Sequence, residues 1–147
     1  MKEKLYTYCE TFVAERIARI HKNIASIQMA LTSETKSSAG DKHETGRAML
    51  QLEREKLGQQ LLEAEKMREL LSKVQVKVRS ENSSLGSLVF TSKSNYFISI
   101  SAGEYKVDGI AAYCISANTP IGKLLLGKQQ GDSFSFNGEL IKILEVA

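Results

Sequence analysis

The sequence has little of several features that define common classes of protein. Its 147 residues include one proline, no tryptophan and two cysteines. Cys9 and Cys114 lie far apart and lack the spacing of metal ligands or of a CxxC motif, so we expect buried, reduced thiols in an intracellular protein. No run of about 18 apolar residues points to a membrane span, and no apolar signal-peptide core follows Met1. These absences predict a cytoplasmic location without membrane contact.

The usual marks of a self-contained enzyme are also missing. No histidine is placed to activate either cysteine, and Gly103, Gly109 and Gly122 are typical of turns or packing positions rather than of a phosphate-binding loop. His21 is expected on a helix surface, and His43 is expected to be an exposed loop residue. A stand-alone metal-dependent hydrolase is disfavoured because too few ligand residues converge. We therefore expect that the chain is not itself an enzyme.

The composition that remains is that of a globular protein with an uneven charge. Apolar residues make up 42% and charged residues 25% of the chain, which argues against wholesale disorder. Residues 1–78 contain 14 Lys and Arg against 11 Asp and Glu, whereas residues 79–147 contain six of each. The net charge of +3 therefore belongs to the first half. This small excess permits contact with nucleic acid, but it does not predict sequence-specific DNA binding.

Two segments with helical periodicity fill the first half. The earlier one has heptad-like spacing, and the later one, from Arg47 to about Val76, repeats it less cleanly because Arg54 and Arg68 interrupt the apolar stripe. The apolar positions are Cys9, Val13, Ile17, Ile20, Ile24, Ile27 and Leu31 in the first segment and Leu50, Leu57, Leu61, Ala64 and Leu71 in the second, where Leu52, Leu62, Met67 and Leu70 widen the face.

The polar stretch from Thr32 to Gly46 predicts a loop between these segments. Two seams of similar length joined by a short polar break most simply form an antiparallel helical hairpin. A parallel dimer through one long helix is the alternative, although Gly40 and Gly46 would then lie inside that helix.

The second half changes to the pattern of short strands. A polar linker at residues 80–84 comes first. Thr119 with Pro120 predicts the start of a short helix, and Gly127 predicts its end. Asn137-Gly138 is typical of a two-residue hairpin turn. The strand-like segments are Ser87–Thr91, Tyr96–Ile100, Ile110–Ile115, the run with Phe134 and Phe136, and Leu140–Val146. The predicted fold class is α+β: a long antiparallel coiled-coil hairpin over residues 1–78, with its tip near 33–46, and a mostly antiparallel β domain with one short helix over residues 79–147.

The tip of the predicted hairpin carries a pair of acids, Asp41 and Glu44. In helical geometry their three-residue spacing places both carboxylates on one face. Mg²⁺ prefers hard oxygen ligands and is often held by one or two carboxylates together with water and phosphate. The alternative is a capping pair for the second helix, with Asp41 as the N-cap and Glu44 at position N3, and the two roles can coexist.

A resemblance to a known family comes from the other half of the chain. The stretch from Ile115 to Asp132 reads ISANTPIGKLLLGKQQGD and resembles the C-terminal signature of the Gre transcript-cleavage factors, IS..SPIGKALLGK..GD, which precedes a final hairpin. The predicted coiled coil with Asp-x-x-Glu at its tip is similar to that family's other half. The resemblance covers nearly the whole chain, weakly over residues 78–108.

The resemblance implies a coiled-coil hairpin joined to an FKBP-like α+β domain, and bacterial RNA polymerase as the partner. In the family, the hairpin enters the secondary channel, and its acidic tip helps to hold a catalytic Mg²⁺ so that the polymerase cleaves the 3′ end of a backtracked nascent RNA. Carried over, Asp41 and Glu44 are auxiliary catalytic residues that share Mg²⁺ with the polymerase, and the chain binds no cofactor on its own. Lys42, Arg47 and Arg54 are candidates for contact with RNA or the channel.

The tip departs from the family pattern at several positions. Thr45 stands where an asparagine is usual and Ala48 where an aromatic is usual, while His43 and Gly46 are also atypical, and Gly46 is expected to loosen the loop. The alternative is therefore a channel-binding regulator or inhibitor that does not stimulate cleavage. A hypothesis from another class is a coiled-coil adaptor or prolyl-isomerase-like module unrelated to transcription, although the second half has few aromatics to line a proline pocket.

Overall fold

The computed structural model of the protein describes residues 1–36 and 41–147, and it leaves the side chains of residues 34–36 and 41–43 undescribed. Two long helices come first, followed by six strands with a short helix between the fourth and fifth. The elements are α1 (Lys2–Lys36), α2 (Asp41–Ser72), β1 (Leu88–Thr91), β2 (Asn95–Ile98), β3 (Gly103–Val107), β4 (Ile110–Ile115), α3 (Pro120–Leu125), β5 (Ser133–Phe136) and β6 (Glu139–Val146). The predicted α+β class is confirmed.

The chain divides into two compact units in space. The hairpin unit comprises Val13–Arg68, and the sheet unit comprises Met1–Phe12 together with Glu69–Ala147. The predicted division between residues 78 and 79 stays a prediction. Within the parts that the structure describes, no helix has the length and apolarity needed to cross a bilayer.

The hairpin unit is built on the heptad stripes that the sequence predicts. Val13, Ile17 and Ile20 of α1 are buried, as are Leu57 and Ala64 of α2. The two helices run antiparallel, and the Arg16 guanidinium donates to the Met67 sulfur across them at 3.5 Å. Apolar side chains spaced three and four apart meet along such a seam, which accounts for the pairing.

Burial along this seam falls towards the end where the two helices connect. Ile24, Ile27 and Leu31 are only half-buried, whereas the earlier positions of the same stripe are buried. The expectation that Leu52 and Leu62 widen the apolar face is wrong, because these side chains are 61% and 47% exposed. Two helices alone can cover only a narrow stripe, so residues off the seam stay in solvent.

The predicted loop from Thr32 to Gly46 is mostly helical. Helix α1 continues to Lys36 and α2 begins at Asp41. Adding a residue to an existing helix is far easier than starting one, so a few serine and threonine residues do not end it. The Thr32 hydroxyl donates to the Gln28 carbonyl at 3.0 Å, a bond within the helix that satisfies this polar side chain.

At its other end α2 stops earlier than predicted, at Ser72 rather than near Val76. The backbone N–H groups of Lys73 and Val74 donate to the carbonyls of Leu70 and Leu71 at 3.1 and 3.0 Å. These three-residue bonds tighten the last turn and use helix carbonyls that would otherwise lack partners. The next residues alternate β-branched and polar side chains, which favours an extended chain.

The sheet unit contains six strands in the order β3-β4-β2-β1-β6-β5. Every neighbouring pair is antiparallel except β2 with β4, where Phe97 pairs with Cys114 in parallel register. The predicted mostly antiparallel sheet is confirmed, and strand β3 is an addition to it. The FKBP-like assignment stays a prediction.

Both faces of the sheet are covered. On one face, strands β1, β2, β4, β5 and β6 form a core with α3, which contributes the buried Leu125. The other residues of this core include Val89, Ile98, Ile115, Phe134, Ile141, Ile143 and Val146. Leu88, Phe97 and Cys114 pair side by side on the opposite face, where the α1 residues Leu5 and Cys9 are also fully buried. Strands buried on two faces explain why their sequence lacks clean alternation.

The predicted polar linker at residues 80–84 is exposed at Glu81, Asn82 and Ser84 but contains one buried residue. Ser83 is 2% exposed. Its backbone N–H donates to the Lys128 carbonyl, and its own carbonyl accepts from the Gly127 N–H, both at 2.8 Å. Its hydroxyl also donates to the Leu125 carbonyl. Ser83 therefore satisfies carbonyls at the C-terminal end of α3, a role that polar composition alone could not reveal.

Gly58→Ala is expected to raise the stability of the hairpin unit by about 0.5–1 kcal/mol, because glycine inside a helix loses more backbone entropy on folding than alanine. A Cβ at this position would approach only the Arg54 Nη1 atom, at 3.4 Å, which is the movable end of a side chain. Urea denaturation followed by circular dichroism measures the change. Gln60→Ala, at an exposed helical position, is the control and should be nearly neutral. A destabilised Gly58 variant would contradict the proposed fit.

Candidate functional site

The predicted acidic pair lies in the first turn of α2. The helix begins at Asp41, so Asp41 and Glu44 are one turn apart and on the same helix face. Glu44 is exposed, while the side chains of Asp41, Lys42 and His43 lie outside the described residues. The partial positive charge at a helix N-terminus stabilises carboxylates at such positions. Both hypotheses for the pair, capping and metal binding, stay predictions.

Gly46 lies inside α2 rather than in a loop, so the expectation that it loosens a loop is wrong. It is half-buried, and Thr45 and Ala48 beside it are exposed. A helical backbone at these positions fixes the spacing between the acidic turn and the next turn of the helix. The atypical residues therefore alter the side chains presented near the acids, while the helix continues.

Two of the predicted contact residues occupy the inner stripe of α2. Arg47 and Arg54 are half-buried, and their spacing continues the seam through Leu50 and Leu57. Their aliphatic stems can pack on the seam while the guanidinium groups reach its edge. The hypothesis that they touch RNA or a channel wall stays a prediction. Other basic side chains of this unit are exposed, among them Arg19, Lys22 and Lys56.

Large apolar side chains are exposed on the hairpin unit. Met29 and Met49 are 73% and 68% exposed, and Met49 shares a helix face with Leu52, three residues further on. Methionine is a flexible, polarizable side chain that adapts to different partner surfaces. The hairpin unit therefore presents acidic, basic and apolar groups together to whatever surrounds it.

The signature segment in the second half acts by holding the fold. The Thr119 hydroxyl accepts from the Gly122 N–H at 3.1 Å and caps the N-terminus of α3, and Pro120 occupies the first turn, as predicted. A Cβ added at Gly122 would lie 2.3 Å from the Ser116 carbonyl oxygen. Gly122 is therefore required where a helix crosses closely over the preceding chain.

The end of the same segment is fixed by a turn. The Asp132 carboxylate accepts from the Gln129 N–H at 2.8 Å, and the Gly131 N–H donates to the Ile143 carbonyl at 2.9 Å. Asn137 and Gly138 both have positive φ, 52° and 79°, which matches the predicted two-residue hairpin turn. The resemblance therefore rests in part on residues that build the fold.

Among the residues that the structure describes, no three His, Cys, Asp or Glu side chains are grouped to hold a metal ion. Glu44 offers one described carboxylate, and carboxylate oxygens are ligands that Mg²⁺ accepts. That Asp41 and Glu44 share Mg²⁺ with a partner stays a prediction.

The sheet unit contains two features that sequence reasoning missed. The Tyr8 and Tyr105 rings stack with centroids 4.4 Å apart, and the Tyr8 hydroxyl donates to the Ala102 carbonyl at 2.6 Å. They border an open cleft of about 380 Å³, which is also lined by Glu3, Lys4, Thr7 and Thr11. The second feature is the meeting of Cys9 with Cys114. The prediction that both are buried thiols is confirmed, but nothing in the spacing indicates their contact.

Comparison with solved structures finds a similarity in fold. A solved structure described as that of the transcription factor Gfh1 has 19% sequence identity to this chain and a TM-score of 0.36, and the match covers 91% of this chain and 90% of that one. At this identity and TM-score, the similarity establishes neither a shared family nor a shared function. No protein-family model matches the sequence, and no curated protein matches it significantly.

Proposed function

We propose that this chain is a Gre-like accessory factor of bacterial RNA polymerase and that its helical hairpin enters the secondary channel of the enzyme. The observation that carries the proposal is the combination of two features in one chain. A long two-helix hairpin bears Asp41 and Glu44 in the first turn of its second helix. The segment from Ile115 to Asp132 resembles the Gre signature and folds as a capped helix and turn.

The dimensions of the hairpin unit support an arm of this kind. From Val13 to Lys36, α1 spans about 35 Å at 1.5 Å per residue. Its seam is only half-buried at Ile24, Ile27 and Leu31, and Met29 and Met49 are exposed. Such a surface gains apolar burial when a partner encloses it.

The proposed role of the acids is to complete a metal site that belongs mainly to the polymerase. Asp41 and Glu44 would hold Mg²⁺ jointly with ligands of the enzyme, and the ion, when bound, lowers the pKa of a water molecule that attacks the RNA. The chain's own contribution is to place two carboxylates on one helix face and to stabilise their charge at the helix N-terminus. Lys42 would contact phosphate oxygens of the nascent RNA 3′ end.

A second candidate function has an observation in its favour. Thr45 and Ala48 stand at two positions where Gre tips carry an asparagine and an aromatic, and both are exposed on the helix. A tip that reaches the channel without those side chains would act as a regulator or inhibitor that occupies the channel without stimulating cleavage.

The position of the hairpin can be tested with a tethered cutting reagent. Ala48→Cys puts an exposed thiol one turn from the acids. Cys9→Ser and Cys114→Ser in the same chain remove the two buried thiols, so that the reagent attaches at one position. An iron chelate attached at this position should cut polymerase subunits close to their active site. The same reagent at the exposed Ser72→Cys, the other end of α2, should cut elsewhere or not at all. If the tagged protein retains no polymerase subunits, both transcription hypotheses fail and the adaptor hypothesis is favoured.

A further inference from the structure

Two cysteines separated by 104 residues meet in the core of the sheet unit. Cys9 lies in the early turns of α1 and Cys114 near the end of β4. Their exposed fractions are 0% and 1%, and both are free thiols. Neither takes part in the proposed function, so their contact calls for a separate explanation.

The pairing of strands β2 and β4 brings the thiols together. Cys114 lies opposite Phe97 in parallel register, and the Ser99 N–H, two residues beyond Phe97, donates to the Ile115 carbonyl at 2.7 Å. The Ser99 hydroxyl oxygen lies 3.5 Å from the Cys9 sulfur, within hydrogen-bond range for sulfur. Cys9 is thus seated on the same sheet face, against the strand next to Cys114, and the two thiols are close enough to shift each other's pKa.

The two thiols are chemically unequal. The hydrogen bond from Cys114 lowers the pKa of the Cys9 thiol, and Ser99 adds to the effect, although burial opposes it. The hydrogen bond to Cys9, together with burial, raises the pKa of the Cys114 thiol. Because the thiolate is the reactive form of cysteine, these opposite shifts favour Cys9 as the nucleophile of the pair.

We propose that Cys9 and Cys114 form a reversible redox modification site, at which a hydroperoxide joins the two sulfur atoms in an intramolecular disulfide between α1 and β4. In the first step the Cys9 thiolate attacks one oxygen of hydrogen peroxide, the O–O bond breaks, and the departing hydroxide takes a proton to become water. The Cys114 sulfur then attacks the Cys9 sulfur, and the displaced hydroxide leaves as a second water with the Cys114 proton. Two electrons pass from the thiols to the peroxide.

This disulfide would close a loop that contains the entire hairpin unit. A crosslink across so long a loop restricts the unfolded chain strongly and stabilises the folded one. Intracellular disulfides of this kind are usually transient and respond to oxidants. The inference does not depend on the proposed role in transcription.

The test uses the unmodified protein. The protein is exposed to an excess of hydrogen peroxide. The number of free thiols per chain, measured in denaturant, should then fall from two to none. The intact mass should fall by roughly 2 Da, since two hydrogens are lost. Proteolysis should yield one crosslinked pair of peptides that contains Cys9 and Cys114, and the Tm should rise by about 5–10 °C. Dithiothreitol should reverse every change.

Cys9→Ser and Cys114→Ser give the matched comparison. Each keeps one thiol, so neither can form the crosslink, and the variant that retains Cys9 should oxidise faster than the one that retains Cys114. If the unmodified protein keeps both thiols, forms dimers through them, or proceeds to sulfinic acids without the crosslink, the proposal is wrong. That result would leave the polymerase hypothesis untouched, because it is read from thiols and mass alone.

Discussion

The combined replacement Asp41→Asn with Glu44→Gln is expected to reduce stimulated RNA cleavage in backtracked polymerase complexes about 100-fold, the scale of losing one preorganised charged contact at a reacting centre. The amides keep the size and helix geometry of the acids but are much weaker ligands for Mg²⁺. Binding to the polymerase should change little, because the rest of the hairpin is unaltered. Cleavage is measured from the shortening of labelled nascent RNA in stalled complexes.

A charge-matched control lies further along the same helix. Glu63→Gln with Glu65→Gln removes two exposed carboxylates from α2 and should leave cleavage unchanged. If the tip variant cleaves as well as the parent, Asp41 and Glu44 have no role in metal binding. If the parent itself slows transcription without any cleavage, the channel-occupying inhibitor is the correct function, and the tip substitutions should then affect inhibition instead.

The hairpin was predictable because its signal is local and repeated. The heptad stripe through Val13, Ile17 and Ile20 is visible in sequence, and the structure buries these side chains. The ends of the helices were not predictable from the same signal. Serine and threonine between Thr32 and Gly46 suggest a loop, but each costs a growing helix only a few tenths of a kcal/mol. The helices therefore continue through most of the predicted loop, and the predicted acids become part of α2.

The sheet was predictable where turn chemistry marks it. Thr119-Pro120 and Asn137-Gly138 fix the start of α3 and the last hairpin, since few residues accept those backbone geometries. Strand β3 was missed because the first four of its five residues are exposed, so it has no alternating apolar pattern. The parallel pairing of β2 with β4 joins residues distant in sequence. Contacts that follow from such pairing, including that of Cys9 with Cys114, leave no trace in sequence spacing.

The candidate site, too, was predictable only in part. The spacing of Asp41 and Glu44 predicts a shared helix face, and a helical first turn of α2 supplies it. The inner position of Arg54 follows from the heptad register. In the sequence, this arginine is visible only as an interruption of the apolar stripe. The role of a charged residue on a seam depends on what surrounds the assembled hairpin, and sequence periodicity contains no information about that surrounding.

The close approach at Gly122 leads to the largest expected change in stability. Gly122→Ala should destabilise the sheet unit by about 3 kcal/mol, at the upper end of what overpacking usually costs. The added Cβ would lie 2.3 Å from the Ser116 carbonyl oxygen and 2.9 Å from the Thr119 hydroxyl. Both atoms belong to the capped start of α3, so the helix must shift away from the strand that precedes it. A fall in Tm of about 6–12 °C is expected.

Gly127→Ala separates this clash from a simple change of glycine to alanine. Gly127 has a φ of +78°, and a Cβ there would meet no atom within 4 Å, so only backbone strain of about 1–2 kcal/mol is expected. Thermal and urea denaturation of both variants, followed by near-ultraviolet circular dichroism of the tyrosines, compares them directly. Equal losses would mean that the Ser116 carbonyl moves freely. In that case the glycine in the signature would mark something other than packing, and the Gre resemblance would rest on a residue whose role the fold does not explain.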